Sequence, residues 1–172
     1  GSDGTNPVDD YTWEFWWYGE HNTNGNQKPW IWFNDVWGNG RSKMNYQTST
    51  GVFIYKKNTY FYAQIPSSNE KYGPLTSWTG SKWQHWVLTK DSTTSSLYVD
   101  KTLIETEDIG GSWTGSADTS KKLIIGGAFY GVTGARKAMA GRFGVVRFYQ
   151  GKALTTTEIT QNFDAEKSRY GH

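Results

Sequence analysis

The sequence contains no cysteine, which excludes disulfide bridges, zinc–thiolate sites and a thiol nucleophile. No apolar run approaches the roughly 20 residues that a membrane-spanning helix requires, and the first residues lack the apolar core of a signal peptide. Neither sign of charge is in large excess, because 18 basic and 16 acidic residues give a net charge of only +2. We therefore expect no membrane insertion and no broad electrostatic surface for a nucleic acid.

Aromatic residues are abundant instead. The 172 residues include 10 Trp, 11 Tyr and 8 Phe, together with 20 Gly. Aromatic residues favour strands and Gly-rich polar segments favour turns, so this composition predicts an all-β fold. The length suits a single domain over residues 1–172, with residues 1–10 as a flexible N-terminal segment. Gly1 and Ser2 are typical of a cloning remnant, in which case the domain was cut from a longer protein.

Short apolar and aromatic runs between polar turns predict a series of antiparallel strands. In the first of them, residues 11–18, the odd-numbered side chains from Tyr11 to Trp17 are expected to face the core. Segments 66–81 and 107–120 are predicted to be loops, as is the stretch between the last two strands. The predicted strands are residues 11–18, 30–33, 52–55, 59–65, 85–90, 96–100, 102–105, 122–126 and 142–149.

One helix is predicted near the C-terminus. Thr155 and Glu158 have the spacing of a capping box, in which each side chain bonds the backbone N–H of the other residue. Leu154 and Ile159 fit the hydrophobic staple that often surrounds such a cap. Phe163 lies four residues after Ile159 on the same helix face, so the helix is expected to lie against a sheet.

Five sequence segments occur in an order that is typical of one known family. They are residues 11–16 (YTWEFW), 83–89 (WQHWVLT), 97–100 (LYVD), 141–149 (GRFGVVRFY) and 152–159 (KALTTTEI). Together they resemble the f-T-i-e-f-W strand, the W-x-H strand, the L-Y-v-D-G hairpin and the closing strand with its short helix of laminin-G-like, concanavalin A-like domains. The resemblance implies a two-sheet antiparallel jelly-roll sandwich with one short C-terminal helix.

The sequence departs from the family pattern at two points. Lys101 stands where the family has the hairpin glycine, and since a type I′ turn needs positive φ at its central residues, Asp100 and Lys101 predict a longer loop. The strand expected before Tyr11 has no clear counterpart, because residues 1–10 are polar. The fold hosts sugar binders, protein binders, hydrolases and lyases, so the resemblance implies no single ligand.

The chemical patterns of related glycan-active enzymes are missing. Hydrolases of this clan resemble one another at an E-x-D-x-x-E strand, and the nearest run here is 105–108 (ETED), which predicts a solvated strand end. Alginate lyases carry a Q-x-H strand, whereas Gln84 and His85 are adjacent. His21, His85 and His172 are far apart and lack zinc-ligand spacing. We therefore predict a protein that is not an enzyme, with no catalytic residue.

Calcium is the one metal that the sequence leaves open. Laminin-G-like domains often bind calcium at a loop rim, and Asn34, Asp35 and Asp118 lie in suitable predicted loops. Loop Asp residues are also common turn formers, so no metal-binding residue and no cofactor are assigned.

The aromatic residues outnumber what one core of this size needs, so some are expected at the surface. Sugars present flat C–H faces that stack on Trp and Tyr rings, while Asn, Asp and Arg bond their hydroxyls. The alternative is that the loop Trp residues anchor long loops on the sandwich, and that Trp16 packs as the family's own Trp does. The predicted ligand-binding residues are Trp37, Trp78, Trp113, Asn34, Asp35, Arg41, Trp16 and Tyr18.

These features predict a non-catalytic, lectin-like recognition module for a glycan or cell-surface polysaccharide. It is expected to belong to a larger extracellular, cell-surface or phage-virion protein. Two alternatives remain from other functional classes. One is a structural or adhesive surface or virion domain that acts through protein contacts, and the other is a glycan-active hydrolase or lyase.

Overall fold

The computed structural model describes residues 10–19, 28–33, 53–57, 60–65, 68–74, 81–92, 94–108, 123–130, 135–138 and 141–172. Within these ranges the chain forms antiparallel strands and one α-helix that is followed by a 3₁₀ turn. The elements are β1 (Tyr11–Gly19), β2 (Lys28–Phe33), β3 (Phe53–Lys57), β4 (Tyr60–Ile65), β5 (Ser68–Pro74), β6 (Trp83–Asp91), β7 (Thr94–Val99), β8 (Thr102–Asp108), β9 (Leu123–Ile125), β10 (Gly127–Tyr130), β11 (Ala135–Ala138), β12 (Gly141–Gln150), α1 (Thr156–Glu166) and the 3₁₀ turn (Lys167–Tyr170).

The chain divides into two compact units. One, called here the helix-bearing unit, contains residues 8–22, 76–112 and 140–172, and the other contains residues 1–7, 23–75 and 113–139. The described strands of the other unit form a five-stranded sheet in the order β5-β4-β3-β2-β9 and a two-stranded sheet of β10 and β11. The helix-bearing unit contains a five-stranded sheet in the order β12-β1-β6-β7-β8, with α1 and the 3₁₀ turn. Every strand pair in these sheets is antiparallel.

The first strand, β1, is buried on both of its faces. The side chains predicted to face the core are at most 2 % exposed, which confirms that prediction for Tyr11, Trp13, Phe15 and Trp17. On the opposite face Thr12, Glu14 and Trp16 are also fully buried. Their burial follows from the C-terminal segment, whose residues bond or stack on these side chains and so cover that face of the sheet.

A β-bulge in β12 changes which of its side chains face the helix. Phe15 pairs with Val146 while Trp17 pairs with Phe143, so two residues of β12, Gly144 and Val145, lie opposite Trp16 alone. A bulge removes a backbone N–H from the ladder, and here the N–H of Val145 donates to the Tyr170 hydroxyl at 3.0 Å. The extra residue also places Arg142, paired with Tyr18, on the same sheet face as Arg147, paired with Glu14.

The predicted capping of α1 is confirmed. The Thr155 hydroxyl accepts from the backbone N–H of Glu158 at 3.3 Å, and the Glu158 carboxylate accepts from the backbone N–H of Thr155 at 2.9 Å. Leu154 and Ile159 lie in one buried cluster with Val87 and Tyr98, as the staple predicts.

The 11 residues of α1 are too few to cross a membrane, and no other helix in the described ranges is long and apolar enough to do so.

Three predictions about connecting segments were wrong. Residues 66–81, predicted to be one long loop, contain β5, which pairs with β4 over six aligned residue pairs and so gains ladder hydrogen bonds. The stretch between the last two predicted strands contains the β10–β11 hairpin rather than a loop. Asp100 and Lys101 form a tight two-residue turn, with φ of 47° and 62°, because the Asp100 carboxylate accepts from the His85 N–H at 2.8 Å and holds the turn.

Candidate functional site

Most of the predicted ligand-binding residues lie outside the described residues. They are Trp37, Trp78, Trp113, Asn34, Asp35 and Arg41, and they stay predictions. Asp118, which was considered with Asn34 and Asp35 for calcium, is also outside. Within the described ranges, no group of three or more His, Asp or Glu side chains is placed to hold a metal ion.

Trp16 is enclosed by other side chains, which favours the alternative that it packs as the family's own Trp does over its predicted role in ligand binding. The side chain is fully buried, and its ring stacks on Tyr170 at 4.3 Å and on Phe163 at 5.5 Å between ring centroids. Its indole N–H donates to the Glu166 carboxylate at 2.7 Å. A ring enclosed by the C-terminal segment cannot present a face to a sugar, and Trp16 is a packing residue.

Beneath α1 the sheet carries a buried polar network that centres on Glu14. The Glu14 carboxylate is fully buried and accepts from His85 Nε2 at 2.8 Å, from the Tyr149 hydroxyl at 2.8 Å and from Asn162 Nδ2 at 3.1 Å. Arg147 Nη1 lies 3.6 Å from the same carboxylate. A buried carboxylate is tolerated only when it is paired and hydrogen-bonded, and here strands β6 and β12 and helix α1 each supply a partner.

Arg147 extends this network to the end of α1. Its guanidinium pairs with Glu166, and Glu166 in turn accepts from the Trp16 indole. The network therefore connects the sheet to both the middle and the last turn of the helix. No local sequence pattern predicts this network, although the isolated Glu within the aromatic strand 11–18 and the His of segment 83–89 mark two of its members.

The network shifts the pKa values of Glu14, Tyr149 and Glu166. Burial alone raises the pKa of the Glu14 carboxyl, but hydrogen bonds from His85 and Tyr149 and the charge of Arg147 outweigh it, so its pKa lies below the usual range. Burial, followed by the hydrogen bond to Glu14, raises the pKa of Tyr149 to about 12. Burial likewise raises the pKa of Glu166, but the hydrogen bonds from Arg147 and Trp16 outweigh this effect. The pKa of Glu166 therefore lies below its ordinary value.

This arrangement is suited to attachment of the helix rather than to chemistry on a substrate. Glu14 and His85 are both completely buried, and the helix residue Asn162 occupies one side of the carboxylate. A general acid, base or nucleophile must come within hydrogen-bond distance of its substrate, which this enclosure prevents in the described structure. The network joins α1 to the sheet.

At one end of the same sheet face, aromatic rings and arginines form a partly exposed group, called here the aromatic–arginine cluster. Its members are Tyr18, Trp83, Tyr170, Arg142 and Arg169. The Trp83 ring centroid lies 5.6 Å from that of Tyr18 and 4.9 Å from that of Tyr170. The guanidinium carbon of Arg142 lies 5.7 Å from the Tyr18 ring centroid, and that of Arg169 lies 5.6 Å from the Tyr170 ring centroid.

Strand pairing produces the cluster. Tyr18 is directly opposite Arg142 on β12 and Trp83 on β6, so the three side chains form a row across three strands. Neighbouring strands are about 4.8 Å apart, which brings such a row within the span of one sugar residue and its substituents. Tyr18 and Trp83 are partly exposed, and both arginines are exposed. Of the predicted ligand-binding residues, only Tyr18 lies at a described surface.

Positive charge predominates around the cluster. Lys82 lies next to Trp83 in sequence and its ammonium group is 3.8 Å from the Asp100 carboxylate, while His172 Nε2 donates to the Trp83 carbonyl at 2.8 Å. Among the described side chains, no carboxylate forms an ion pair with Arg142 or Arg169. The cluster therefore combines apolar ring faces with two guanidinium groups that are available to an anion.

Comparison with known proteins identifies a family. The family model described as "Concanavalin A-like lectin/glucanases superfamily" matches residues 2–160, which is most of the chain. Among curated proteins, no sequence matches this chain.

Several solved structures share the fold at low sequence identity. A heptameric SAP-like pentraxin from Limulus polyphemus matches 92 % of this chain and 71 % of its own, with 16 % identity and a TM-score of 0.61. A protein from Bacteroides ovatus, provisionally described as carbohydrate binding, matches 90 % of this chain and 40 % of its own, with 15 % identity and a TM-score of 0.62.

An enzyme also shares the fold. A mutant of Trypanosoma rangeli sialidase with trans-sialidase activity matches 92 % of this chain, with 19 % identity and a TM-score of 0.58. The match covers only 23 % of the sialidase chain, so this chain corresponds to a minor part of that protein. At these identities the comparisons show the fold alone, and they confirm the predicted jelly-roll class.

Proposed function

The chain belongs to the concanavalin A-like lectin/glucanases superfamily, and we propose on that premise that it is a non-catalytic carbohydrate-recognition domain. Its partner is a glycan or cell-surface polysaccharide. The domain acts as a module of a larger extracellular, cell-surface or phage-virion protein. The single domain over residues 1–172 and the absence of a required cofactor are parts of this proposal.

The observation that carries the proposal is the row of Tyr18, Trp83 and Arg142 at a partly exposed sheet end. Partly exposed aromatic rings beside planar hydrogen-bond donors are the combination that suits a sugar, whose C–H faces are apolar and whose rim is polar. The Bacteroides ovatus protein supports the same class of ligand for this fold.

The absence of catalysis is also a proposal, and it is supported by the distribution of carboxylates. Glycoside hydrolysis uses two carboxyl groups about 5–9 Å apart on either side of a bound sugar. Glu14 is enclosed beneath α1, and Glu166 is bonded to Arg147 and Trp16. Incubation with plant, algal and bacterial polysaccharides should release no reducing ends and no unsaturated products, and either product would contradict this part of the proposal.

The predicted loop rim is a second proposed region for ligand binding. It consists of Trp37, Trp78 and Trp113 with Asn34, Asp35 and Arg41, and its support comes from the sequence: each Trp lies in a polar, turn-rich segment. Asn34 follows the end of β2 directly, where a rim residue is expected in a sandwich of this class.

A glycan array, run with and without calcium, tests the proposed function. We expect selective binding to a set of glycans, and loss of binding in Trp37→Ala, Trp78→Ala or Trp113→Ala with little loss of stability. Loss of stability without loss of binding would identify these Trp residues as packing residues and remove them from the site. Binding that requires calcium would assign the metal to the predicted loops, whereas unchanged binding without calcium would remove it from the proposal.

An adhesive role through protein contacts is the second candidate, because two exposed apolar side chains lie on the outer strands of the helix-bearing sheet. Leu103 on β8 is 50 % exposed and Phe148 on β12 is 46 % exposed. Exposed apolar groups on outer strands favour strand-to-strand association. A monomer at all concentrations in light scattering, combined with glycan binding, would favour the first function over this one.

A further inference from the structure

We propose that the aromatic–arginine cluster is a subsite for an acidic sugar residue, with the sugar ring on Trp83 and its carboxylate on Arg142. This inference rests on the proposed function and specifies the class of glycan.

The rings provide the surface for the sugar. The Trp83 ring centroid lies 5.6 Å from that of Tyr18 and 4.9 Å from that of Tyr170, so packing against two rings restricts its position. Tyr170 is itself held by stacking on Trp16 and by the hydrogen bond from Val145. A ring held in this way loses little conformational entropy on binding, which makes it a better platform than a freely rotating side chain.

The arginines provide the charge. Each guanidinium lies over a tyrosine that contacts Trp83, and among the described residues neither one pairs with a carboxylate. By contrast, Arg147 of the same strand as Arg142 is bonded to Glu166. Two exposed cations, each over a ring that contacts Trp83, favour an anionic ligand over a neutral one in a region where the nearby Asp100 is already paired with Lys82.

The shape of the guanidinium favours a carboxylate in particular. Its planar fork donates two parallel hydrogen bonds to a carboxylate, and stacking on a ring leaves the edge of the fork free to do so. Uronic acids and sialic acids both carry a carboxylate on the sugar ring, and they are two sources of the same chemistry. Sulfated sugars offer a tetrahedral anion, which is the competing class.

The test uses the full chain on an array with four groups of probes: neutral oligosaccharides, uronic-acid oligosaccharides, sialylated oligosaccharides and sulfated oligosaccharides. The highest-affinity acidic probe is then titrated against the same compound after its carboxylates have been reduced to alcohols. The titrations use wild type, Arg142→Gln and, as a control with the same change in net charge, Lys152→Gln. Lys152 lies outside the cluster, with its side chain 52 % exposed.

We expect carboxylated probes to bind and reduction of the carboxylate to weaken binding. Arg142→Gln should weaken binding of the carboxylated probe at least about tenfold, as expected for a hydrogen bond to a charged group, whereas Lys152→Gln should change it less than about twofold. Arg142→Gln should bind the reduced probe as wild type does. Thermal unfolding of both variants at the wild-type midpoint would show that the loss comes from the site.

Other results would overturn the inference in distinguishable ways. Binding of neutral glycans alone would refute the acidic subsite and leave the proposed function intact. Binding of sulfated glycans alone would replace the carboxylate by a sulfate. Equal effects of Arg142→Gln and Lys152→Gln would show that acidic glycans bind by general charge attraction and not at the cluster. Binding to no probe in any group would refute both the subsite and the proposed function.

Discussion

Glu14→Gln tests how much the buried network that attaches α1 to the sheet contributes to the free energy of unfolding. The substitution removes one charge from the centre of the network and changes the side-chain shape very little. In the native chain the Glu14 carboxylate accepts from His85, Tyr149 and Asn162 and faces Arg147 at 3.6 Å. A glutamine offers one acceptor oxygen in place of two, so at least one donor must reorient or lose its partner.

The expected loss is large because the group is fully buried. Removing one partner of a buried, hydrogen-bonded ion pair typically costs about 3–5 kcal/mol, since the remaining charge stays in a medium of low polarity. Arg147 keeps Glu166 as a partner, which places the expected value near the lower end, at about 3 kcal/mol. Urea unfolding at pH 7, followed by tryptophan fluorescence, measures this difference as a shift of the midpoint.

The dependence of stability on pH gives an independent check. The pKa of Glu14 is below its ordinary value of 4.5, so its charge stabilises the fold fully above that pH and the stabilisation is lost as the pH falls through the lower, folded-state value. Wild type should therefore lose stability below about pH 4.5, and Glu14→Gln should lose less over the same interval. The remaining slope in the variant comes from other lowered carboxyls, among them Glu166.

Glu158→Gln is the matched control, because it makes the same chemical change at a partly exposed carboxyl of the same helix and keeps an acceptor oxygen for the Thr155 N–H. It should shift the urea midpoint much less than Glu14→Gln does. A loss below about 1 kcal/mol for Glu14→Gln, within the range of ordinary substitutions, would refute the role of the network. An unchanged pH profile would refute it as well, even if the variant were unstable for another reason.

Three further changes test packing at the helix, each by urea unfolding at pH 7. Phe163→Ala should cost about 3–5 kcal/mol, because Phe163 is 6 % exposed and stacks on Trp16, and a loss below about 0.5 kcal/mol would contradict its burial. Thr155→Ala should cost about 1 kcal/mol through loss of the helix cap, and no change would show that the cap is redundant. Gly144→Ala should cost about 1–3 kcal/mol, since an added Cβ would lie 2.7 Å from Cε1 of Tyr170, and unaltered stability would mean that the Tyr170 ring can move aside.

Local sequence patterns predicted the strands and the helix where they had a clear period or cap. The alternation in residues 11–18 identified the buried odd face of β1, and the Thr155–Glu158 spacing identified the start of α1. The sequence did not reveal that the even face of β1 is equally buried. That burial depends on the helix about 150 residues later in the chain, and no local pattern records such a contact.

The candidate site was less predictable, because it depends on strand register and on one irregularity. Simple alternation places Arg142 and Arg147 on opposite faces of β12, and only the bulge at Gly144 and Val145 puts them on the same face. Glu14 and His85 come from strands separated by 71 residues, and their contact follows from sheet order. Tyr18 was predicted from its position opposite the core face, which is a local property.

The enclosure of β1 has a consequence for how the chain folds. This strand is synthesised before its two partners in the sheet, β6 and β12, and before the helix that covers one of its faces. Until residue 150 has been synthesised, the segment YTWEFWWYG lacks a strand partner on at least one edge, and until residue 170 has been synthesised, the face that carries Trp16 is not fully covered. Contacts so distant in sequence slow folding, and such a segment is prone to join other chains in the meantime. We therefore expect fragments that end before α1 to aggregate during expression, and the full chain to need protection of this first strand during its synthesis.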